Sequence, residues 1–354
     1  MISIQDIINY YETINPNKSS STYSVMKYNL IRLEKITQKD INDLSSIDFK
    51  INKQFIEKLD KYALNTKIQT IMGIKLFLRF LAFKENDNKK YDSLINLWND
   101  LLKTSCDENK KKIEKNEMTD NEEKNWIHYP LLKDKVIKYY ETEFWQKLNN
   151  NSFTDYTRYT YYRNFLLLLL FIEIPPTRIG NYQYMKIRIQ KKRDGTSLDK
   201  SNNYLMIHPN GEYTIIFNVY KTAKYLGQVK KELDSDLMIV KVLNKYLEYR
   251  ALFVNKKSNT DFLLNKDKKA MTQSNITDTL KYISRTVVGK DLSVNLLRHI
   301  FISHFFNENK TIEERKNVAK FMGQTYEPTM MEKYNKIPKP KEEKKSMKFI
   351  MTWD

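Results

Sequence analysis

The feature that most constrains the fold is a run of eight consecutive apolar residues, FLLLLLFI, at positions 165–172. Surface helices and half-exposed strands mix apolar and polar residues in a regular period, so an unbroken apolar run must be covered on every side. The run is far shorter than the roughly 20 residues that a helix needs to cross a bilayer. We therefore predict that it ends a long helix, residues 156–174, that lies buried in a protein core.

An arginine follows this run where the chain leaves the helix, in the sequence PPTRIGN at 175–181. A charge next to a fully buried helix needs a partner. For Arg178 taken alone, the ordinary expectation is a salt bridge or a cap at a helix end. A role in binding a ligand would require further residues elsewhere in the chain.

Composition limits the classes of fold and site. The chain has 354 residues, which suggests two domains, because a single core seldom grows much beyond about 250 residues. With only 7 Gly and 8 Pro, folds built on many tight turns are disfavoured and helices are favoured. Cys106 is the single cysteine and there are 4 His, so we predict no disulfide, no metal site and no cofactor.

Helical periodicity divides the chain into parts. Residues 1–105 contain five segments with apolar residues at three- and four-residue spacing, which predicts a small helical domain. Residues 106–124 are nearly all charged or amide and predict a linker or a solvated helix. A second domain is predicted over 125–336, followed by a tail, 337–354, with a charged spacer and an apolar end.

The second domain changes character after Arg178. Short β-rich runs occupy 184–190, 203–209 and 213–220, and the sequence HPNGEY is a typical hairpin turn. Residues 224–233 are expected to complete a three-stranded meander, after which helical periodicity resumes. The predicted fold class is mainly α with a small antiparallel β-sheet (α+β).

The chain is strongly basic, with 61 Lys+Arg against 43 Asp+Glu and a formal charge of +18. Such an excess indicates a polyanionic partner, because basic surfaces bind phosphate backbones by releasing counterions. Charge alone leaves DNA, RNA and anionic lipid open, and abundant Lys, Asn and Ile would also follow from AT-rich coding sequence. The N-terminus lacks the pattern of a signal peptide, so we expect a soluble intracellular protein.

Three further stretches carry candidates for chemistry. They are NVYKTAKYLGQ with Lys221, NLLRHIFISHFF with Arg298, and FMGQTYEPTMMEKYNK with Tyr334. Together with Arg178, and in this order, they resemble the tyrosine recombinase (phage integrase) family. That family has an arginine after a long helix, a lysine on a β-hairpin, a His-x-x-Arg box, a Gly-His pair and a tyrosine near the C-terminus. The resemblance covers about 175–335.

The details of two boxes carry the resemblance. LLRHIFISHFF is similar to the second arginine box and includes His299 and His304, while FMGQ is similar to the Leu-Gly-His element at Gly323. The first box, PPTR, and the segment NEEKNWIHY resemble recombinases of large DNA viruses and their mobile elements.

The resemblance implies a fold, an activity and partners. It implies a helical core-binding domain at 1–105 and a catalytic domain at 125–336 that act as a site-specific recombinase or integrase on double-stranded DNA. Members cut and rejoin DNA through a 3′-phosphotyrosyl intermediate without metal or ATP. They assemble as a tetramer on DNA, so we expect a monomer free in solution and a tail, 337–354, that docks on a neighbouring protomer.

The residue types suit this chemistry. Arg178 and Arg298 would clamp the scissile phosphate, because guanidinium pairs bidentately with phosphate and stays charged. Lys221 would protonate the leaving 5′-oxygen, since the pKa of a lysine falls in a cationic site. Tyr334 would attack the phosphorus. Lys224 competes with Lys221 for the role of the acid.

The sequence departs from the family at several positions. Asn295 occupies the position where the second box usually has His or Lys, and Gln324 replaces the histidine of the Gly-His pair. Both amides can bind a phosphate oxygen, but neither can transfer a proton at neutral pH. Asn181 replaces a usual acidic residue. One extra residue separates Gln324 from Tyr334, and Tyr326 is rejected as nucleophile because it lies too close to Gln324.

Two other functions fit parts of this pattern. A type IB topoisomerase would share the chemistry but relax supercoils as a monomer. A DNA-binding relative with weakened or lost catalysis is suggested by Asn295 and Gln324.

Overall fold

The computed structural model describes residues 1–50, 53–87, 89–149, 151–190, 198–254, 259–324 and 335–336, with the side chains of residues 46 and 47 left aside. The chain divides into two compact units, Met1–Lys115 and Asn116–Asp354. The division falls inside the range 106–124 that the sequence predicts as a linker. The functions assigned to the predicted domains stay predictions.

The first unit is helical, as its periodicity predicts. Its α-helices are α1 (Ile4–Ile14), α2 (Ser20–Thr37), α3 (Lys53–Asp60), α4 (Leu64–Lys84) and α5 (Asp92–Glu114). Short 3-10 turns lie at Ile41–Asp43 and Ser46–Phe49. Trp98 of α5 is fully buried, and its indole Nε1 donates to the Phe49 carbonyl at 2.9 Å, which fixes the turn against the core.

Helix α5 extends beyond its apolar part. The sequence limits the apolar periodicity to about residue 104, but the helix continues to Glu114, so the first half of the charged stretch is a solvated helix. Its last turns are rich in Lys and Glu, which are good helix formers, and Lys110 and Glu114 form an i,i+4 ion pair at 3.8 Å.

The second unit surrounds the apolar run. Its helices are α6 (Asp120–Asn125), α7 (Tyr129–Tyr139), α8 (Trp145–Leu148), α9 (Asp155–Leu169), α10 (Ala223–Leu226), α11 (Met238–Val254), α12 (Gln273–Val288), α13 (Val294–Phe305) and α14 (Ile312–Phe321). A π-helical turn, Tyr140–Phe144, joins α7 to α8. Every residue from Phe165 to Ile172 is at most 1% exposed. The predicted burial on all sides is confirmed, although α9 ends at Leu169, earlier than predicted, and α11 and α12 pack against it.

Within the described residues the sheet has four strands in the order β1-β2-β3-β4: β1 (Lys186–Ile189), β2 (Tyr204–Ile207), β3 (Tyr213–Phe217) and β4 (Val229–Leu233). The meander β2-β3-β4 is antiparallel, as predicted, and Gly211 takes φ +87° in the predicted hairpin turn. The prediction of a wholly antiparallel sheet is wrong at β1, which pairs with β2 in parallel. Parallel neighbours need a crossover of about a dozen residues or more, and the connection 190–203 is long enough.

Candidate active site

Arg178 leaves the buried run and turns toward a helix end far along the chain. It precedes a 3-10 turn, Ile179–Asn181, but its side chain makes no capping bond there. Its Nη1 instead donates to the carbonyl oxygen of Gly323 at 3.2 Å. Arg178 forms no ion pair with any carboxylate in the described part of the chain. Of the two ordinary expectations for a lone arginine, the salt bridge is not met there, whereas the bond to the Gly323 carbonyl lies at the end of a distant helix and is a contact of the capping kind.

Arg298 reaches the same helix end from α13. The hydroxyl of Ser293 caps this helix by accepting from the backbone N–H of Leu296 at 3.2 Å. The Arg298 side chain is fully buried, its Nη1 donates to the Pro176 carbonyl at 2.7 Å, and both terminal nitrogens lie 3.4 Å from the Met322 carbonyl oxygen. Two guanidinium groups from distant segments therefore meet at consecutive backbone carbonyls, those of residues 322 and 323.

The C-terminal end of α14 presents these carbonyls. Gly323 takes φ +70°, in the left-handed region, and the next N–H, that of Gln324, donates back to the Ala319 carbonyl at 2.8 Å. A Cβ at Gly323 would lie 3.1 Å from Arg178 Nη1, so the guanidinium packs directly on the space that glycine leaves. The negative end of the helix dipole also favours cations at this position.

Lys221 stands in the turn that follows β3, and the turn contacts the same carbonyl. Thr222 Oγ1 donates to the Gly323 carbonyl oxygen at 2.9 Å, while Lys221 itself is exposed. On the other side of Lys221, Tyr220 Oη donates to the Gly227 carbonyl at 2.7 Å. The turn is therefore braced by the two neighbours of the lysine.

Asn203 joins the base of this turn to the Arg178 segment. Its side-chain oxygen accepts the backbone N–H groups of Asn218 and Val219, each at 2.8 Å. Its Nδ2 donates to the Asn181 carbonyl at 2.8 Å and to the Val219 carbonyl at 2.9 Å. One buried amide thus connects the residues just after Arg178 to those just before Lys221.

The structure places the remaining candidates differently. Gln324 is buried beside the two arginine acceptors, and its Nε2 has no hydrogen-bond partner among the residues that the structure describes. Asn295 is exposed in the first turn of α13, about one turn before Arg298 and on the same face. Lys224 is exposed in the short helix α10. Asn181, the departure from the usual acidic residue, is buried.

The predicted nucleophile, Tyr334, lies outside the described residues, as do the rejected Tyr326 and the tail 337–354. The structure resumes at the next residue after Tyr334. There the backbone N–H of Lys336 donates to Ser303 Oγ of α13 at 3.0 Å, and Lys336 Nζ lies 3.7 Å from Glu122 Oε2. The chain just after residue 334 therefore contacts the helix that carries Arg298.

Near this contact, two basic side chains lie close to the Glu122 carboxylate. His299 Nε2 lies 3.6 Å from Glu122 Oε1, and Lys336 lies on the other carboxylate oxygen. Burial alone would raise the pKa of Glu122, but the Thr119 backbone N–H, the positive charge of Lys336 and the Thr119 hydroxyl together lower it. His304, in contrast, pairs with Glu308 at 2.9 Å, and its ring lies at a tilt of 34° against that of Tyr129.

Two other kinds of feature are missing from the described ranges. No group of three or more His, Cys, Asp or Glu side chains in them is arranged to hold a metal ion. None of the helices there combines the length and apolar character that a membrane-spanning segment requires.

Sequence reasoning missed Thr222 and Asn203. Thr222 follows Lys221 directly and in the structure precedes a short helix, where an N-cap would be the usual role of a threonine, yet its hydroxyl makes no capping bond. Asn203 lies at the start of a predicted strand, and no local pattern distinguishes it from the other asparagines. The contacts of both residues depend on which distant backbone groups approach them.

Among the comparisons with known proteins, the one with solved structures found matches. No protein-family model and no curated protein matches the sequence. Among solved structures, the XerH site-specific recombinase bound to its difH substrate matches with a TM-score of 0.53 and 13% identity, covering 94% of this chain and 81% of that chain. The Tn1549 transposon integrase in complex with transposon right end DNA matches at a TM-score of 0.48 and 13% identity, covering 95% and 96%.

The fold assignment rests on the XerH comparison, which spans nearly the whole chain. It agrees with the predicted fold class, since a mainly helical chain with one small sheet is found. The chain therefore has the tyrosine recombinase fold that its sequence motifs indicate.

Proposed function

We propose that this protein is a site-specific DNA recombinase or integrase of the tyrosine recombinase family, which cuts and rejoins double-stranded DNA through a 3′-phosphotyrosyl intermediate. The observation that carries the proposal is the meeting of Arg178 and Arg298 at the Met322 and Gly323 carbonyls, with the Lys221 turn bonded to the second of them. Two segments that are far apart in sequence bring guanidinium groups to one place, and a third, the turn that carries Lys221, is bonded to the same place through Thr222. The XerH recombinase and the Tn1549 integrase, two of the solved structures that match the chain, are both bound to DNA.

In this proposal the arginines bind the scissile phosphate. Arg178 is half-buried and donates one hydrogen bond to a neutral carbonyl, so its remaining N–H groups suit a phosphate oxygen. Arg298 is fully buried and closed off from solvent in this state. The proposal requires that DNA binding expose its guanidinium to the phosphate.

The cleavage step needs a nucleophile and an acid. The phenol oxygen of Tyr334 loses its proton to solvent and attacks the phosphorus, and the bond from phosphorus to the 5′-oxygen breaks. The departing oxygen keeps the bonding electron pair and takes a proton from the Lys221 ammonium. In religation the 5′-hydroxyl gives that proton back to Lys221 and its oxygen attacks the phosphorus, and the tyrosine leaves as a phenolate that takes a proton from solvent. The phosphotyrosyl bond keeps the energy of the broken bond, so no ATP is needed, and the arginines and Lys221 supply the positive charge that a metal ion would otherwise supply.

Asn295 and Gln324 would act as hydrogen-bond donors to the phosphate. Gln324 is well suited, because its buried Nε2 lacks a partner among the described residues and a non-bridging oxygen would satisfy it. Neither amide accepts a proton near neutral pH. The chemistry therefore depends on Lys221 and on solvent for proton transfer, and we expect it to proceed more slowly than with histidines at these positions.

The assembly follows from the family. We propose that the protein is a monomer free in solution and a tetramer on DNA, with the tail 337–354 docking on a neighbouring protomer, inside the cell that holds its DNA target. The high positive charge suits this partner.

A nicked duplex tests the proposal. When a nick lies just 3′ of the scissile phosphate, the short 5′-hydroxyl strand diffuses away after cleavage and traps the covalent adduct. DNA fragments from the source genome, presented as a nicked library, would supply the unknown site. We expect an adduct, stable to denaturant and formed in EDTA, with the wild type and with Tyr326→Phe but not with Tyr334→Phe. Sequencing the trapped DNA then identifies the site.

The outcomes separate the alternatives. Absence of adduct with retained DNA binding would favour the non-catalytic relative. An adduct together with relaxation of supercoiled plasmid, and no strand exchange between two duplexes, would favour a type IB topoisomerase. Adduct formation by Tyr334→Phe would refute the assignment of the nucleophile.

A further inference from the structure

We propose that Thr222 is a positioning residue that holds Lys221 in place for proton transfer, by joining the lysine turn to the carbonyl that also binds Arg178. This inference rests on the proposed function, because it concerns how the same site works. The bond from Thr222 Oγ1 to the Gly323 carbonyl oxygen is 2.9 Å long and joins residues 101 positions apart. Arg178 Nη1 donates to the same oxygen at 3.2 Å.

The Gly323 carbonyl oxygen, which Thr222 and Arg178 share, fixes the position of the Lys221 turn relative to the Arg178 guanidinium. Lysine has a flexible four-carbon side chain, so its ammonium is placed accurately only if the backbone at its base is held. The Lys221 backbone is held on one side by the Thr222 bond and on the other by the Tyr220 hydroxyl, which donates to the Gly227 carbonyl at 2.7 Å. Of these two bonds, only the Thr222 bond joins the lysine turn to the carbonyl that also binds Arg178.

The geometry of Thr222 is hard to explain by local structure. It is the N-cap residue of α10, where a threonine hydroxyl ordinarily accepts a backbone N–H from the first turn of its own helix. Here the hydroxyl makes no such bond and donates across the site instead. Since α10 is only the short segment Ala223–Leu226, the loss of its cap has little cost for the fold.

The base of the turn is anchored separately. Asn203 bonds to the backbone of Asn218 and Val219 and to the Asn181 carbonyl, so the turn stays attached to the Arg178 segment when Thr222 is changed. A Thr222→Val variant should therefore fold, keep the clamp and lose only the restraint near Lys221. Valine has nearly the shape of threonine without the hydroxyl.

The test compares two leaving groups in the nicked-duplex assay. One substrate has the natural 5′-oxygen at the scissile position, and the other has sulfur there, so that the bond broken is between phosphorus and sulfur. A thiolate is a far weaker base than an alkoxide, and it leaves without a proton from Lys221. The sulfur substrate therefore reports on the clamp and the nucleophile, while the oxygen substrate reports on these and on the acid.

We expect Thr222→Val to slow adduct formation on the oxygen substrate about 10-fold and on the sulfur substrate less than about 3-fold, because a misplaced acid loses part of the 10²- to 10⁴-fold that general acid catalysis supplies. Thr222→Ser, which keeps the hydroxyl, should restore the oxygen rate. Lys221→Ala should show the same selectivity more strongly. Equal slowing of Thr222→Val on both substrates, or no slowing on either, would overturn the inference. Failure of the wild type to form adduct on either substrate would instead refute the proposed function.

Discussion

Replacement of Gly323 by alanine should damage catalysis far more than it damages stability. The residue has φ +70°, where an alanine costs about 1–2 kcal/mol relative to glycine. Its new methyl group would also lie 3.1 Å from Arg178 Nη1, closer than ordinary van der Waals contact, and 3.4 Å from Thr222 Oγ1, at the near limit of ordinary contact. The end of the arginine side chain can yield, so we expect the guanidinium to move by a few tenths of an ångström.

That small movement is enough to break an existing bond. The distance from Arg178 Nη1 to the Gly323 carbonyl oxygen is 3.2 Å, already at the upper end of the range for such hydrogen bonds. Hydrogen bonds of charged groups contribute about 1.5–3 kcal/mol. If the displaced guanidinium loses one such bond to the phosphate in the transition state, the rate of adduct formation falls about 10- to 100-fold, at 1.36 kcal/mol for each factor of ten.

Gly289 provides a matched control. It also has positive φ, +74°, at the end of a helix, but an added methyl group would meet nothing within 4 Å. Both Gly323→Ala and Gly289→Ala should lower the melting temperature by about 2–8 °C, because about 1–2 kcal/mol corresponds to that shift in a unit of this size. Only Gly323→Ala should slow single-turnover adduct formation on the nicked duplex. Equal rates for the two variants would refute the placement of Arg178 in the site.

Two further predictions concern stability. Gly73→Ala in α4 should lower the free energy of unfolding in urea by about 1–3 kcal/mol, although alanine favours helices. The reason is that the new Cβ would lie 2.9 Å from Asn29 Cβ and 3.4 Å from the Asn29 carbonyl carbon. A more stable variant would contradict the close approach of α2 and α4. Glu122→Gln should lower the melting temperature near neutral pH, because the ionised carboxylate accepts the Thr119 N–H and attracts Lys336, which lowers its pKa. That contribution is complete above the ordinary glutamate pKa of about 4.3 and is lost as the pH falls through the lower pKa of the folded state, so the difference from wild type should shrink below about pH 4; a difference that stays constant from pH 3 to 7 would contradict the reasoning.

Periodicity predicted those elements whose burial decides their conformation. The run 165–172 had to be covered on all sides, and the helices with clear apolar stripes formed where expected. The extension of α5 to Glu114 matches one of the two alternatives for the charged stretch, a solvated helix, and apolar periodicity could not choose between them because charged residues can form an exposed helix without an apolar face. The parallel direction of β1 was missed because it depends on the course of the connection 190–203, which has no strand periodicity of its own.

The candidate site could be predicted by residue type and order, but its contacts could not. Arginine, lysine and tyrosine in the order seen here point to phosphate chemistry, and Arg178 and Arg298 do meet. Their acceptors are backbone carbonyls, which every residue possesses, so no sequence pattern marks Met322 and Gly323 as the ones used. How α14 ends determines which carbonyls face the arginines.

The shared carbonyl of Gly323 has an evolutionary consequence. Because Arg178 and Thr222 bond to one oxygen atom, the effect of changing either residue depends on the state of the other, and their effects should not add. A side chain at Gly323 would press on Arg178 and lie against Thr222 at once, so selection on the glycine is tied to both residues. Among descendants of this chain, positions 178, 222 and 323 should therefore diverge together, with intermediates that alter one position alone found seldom.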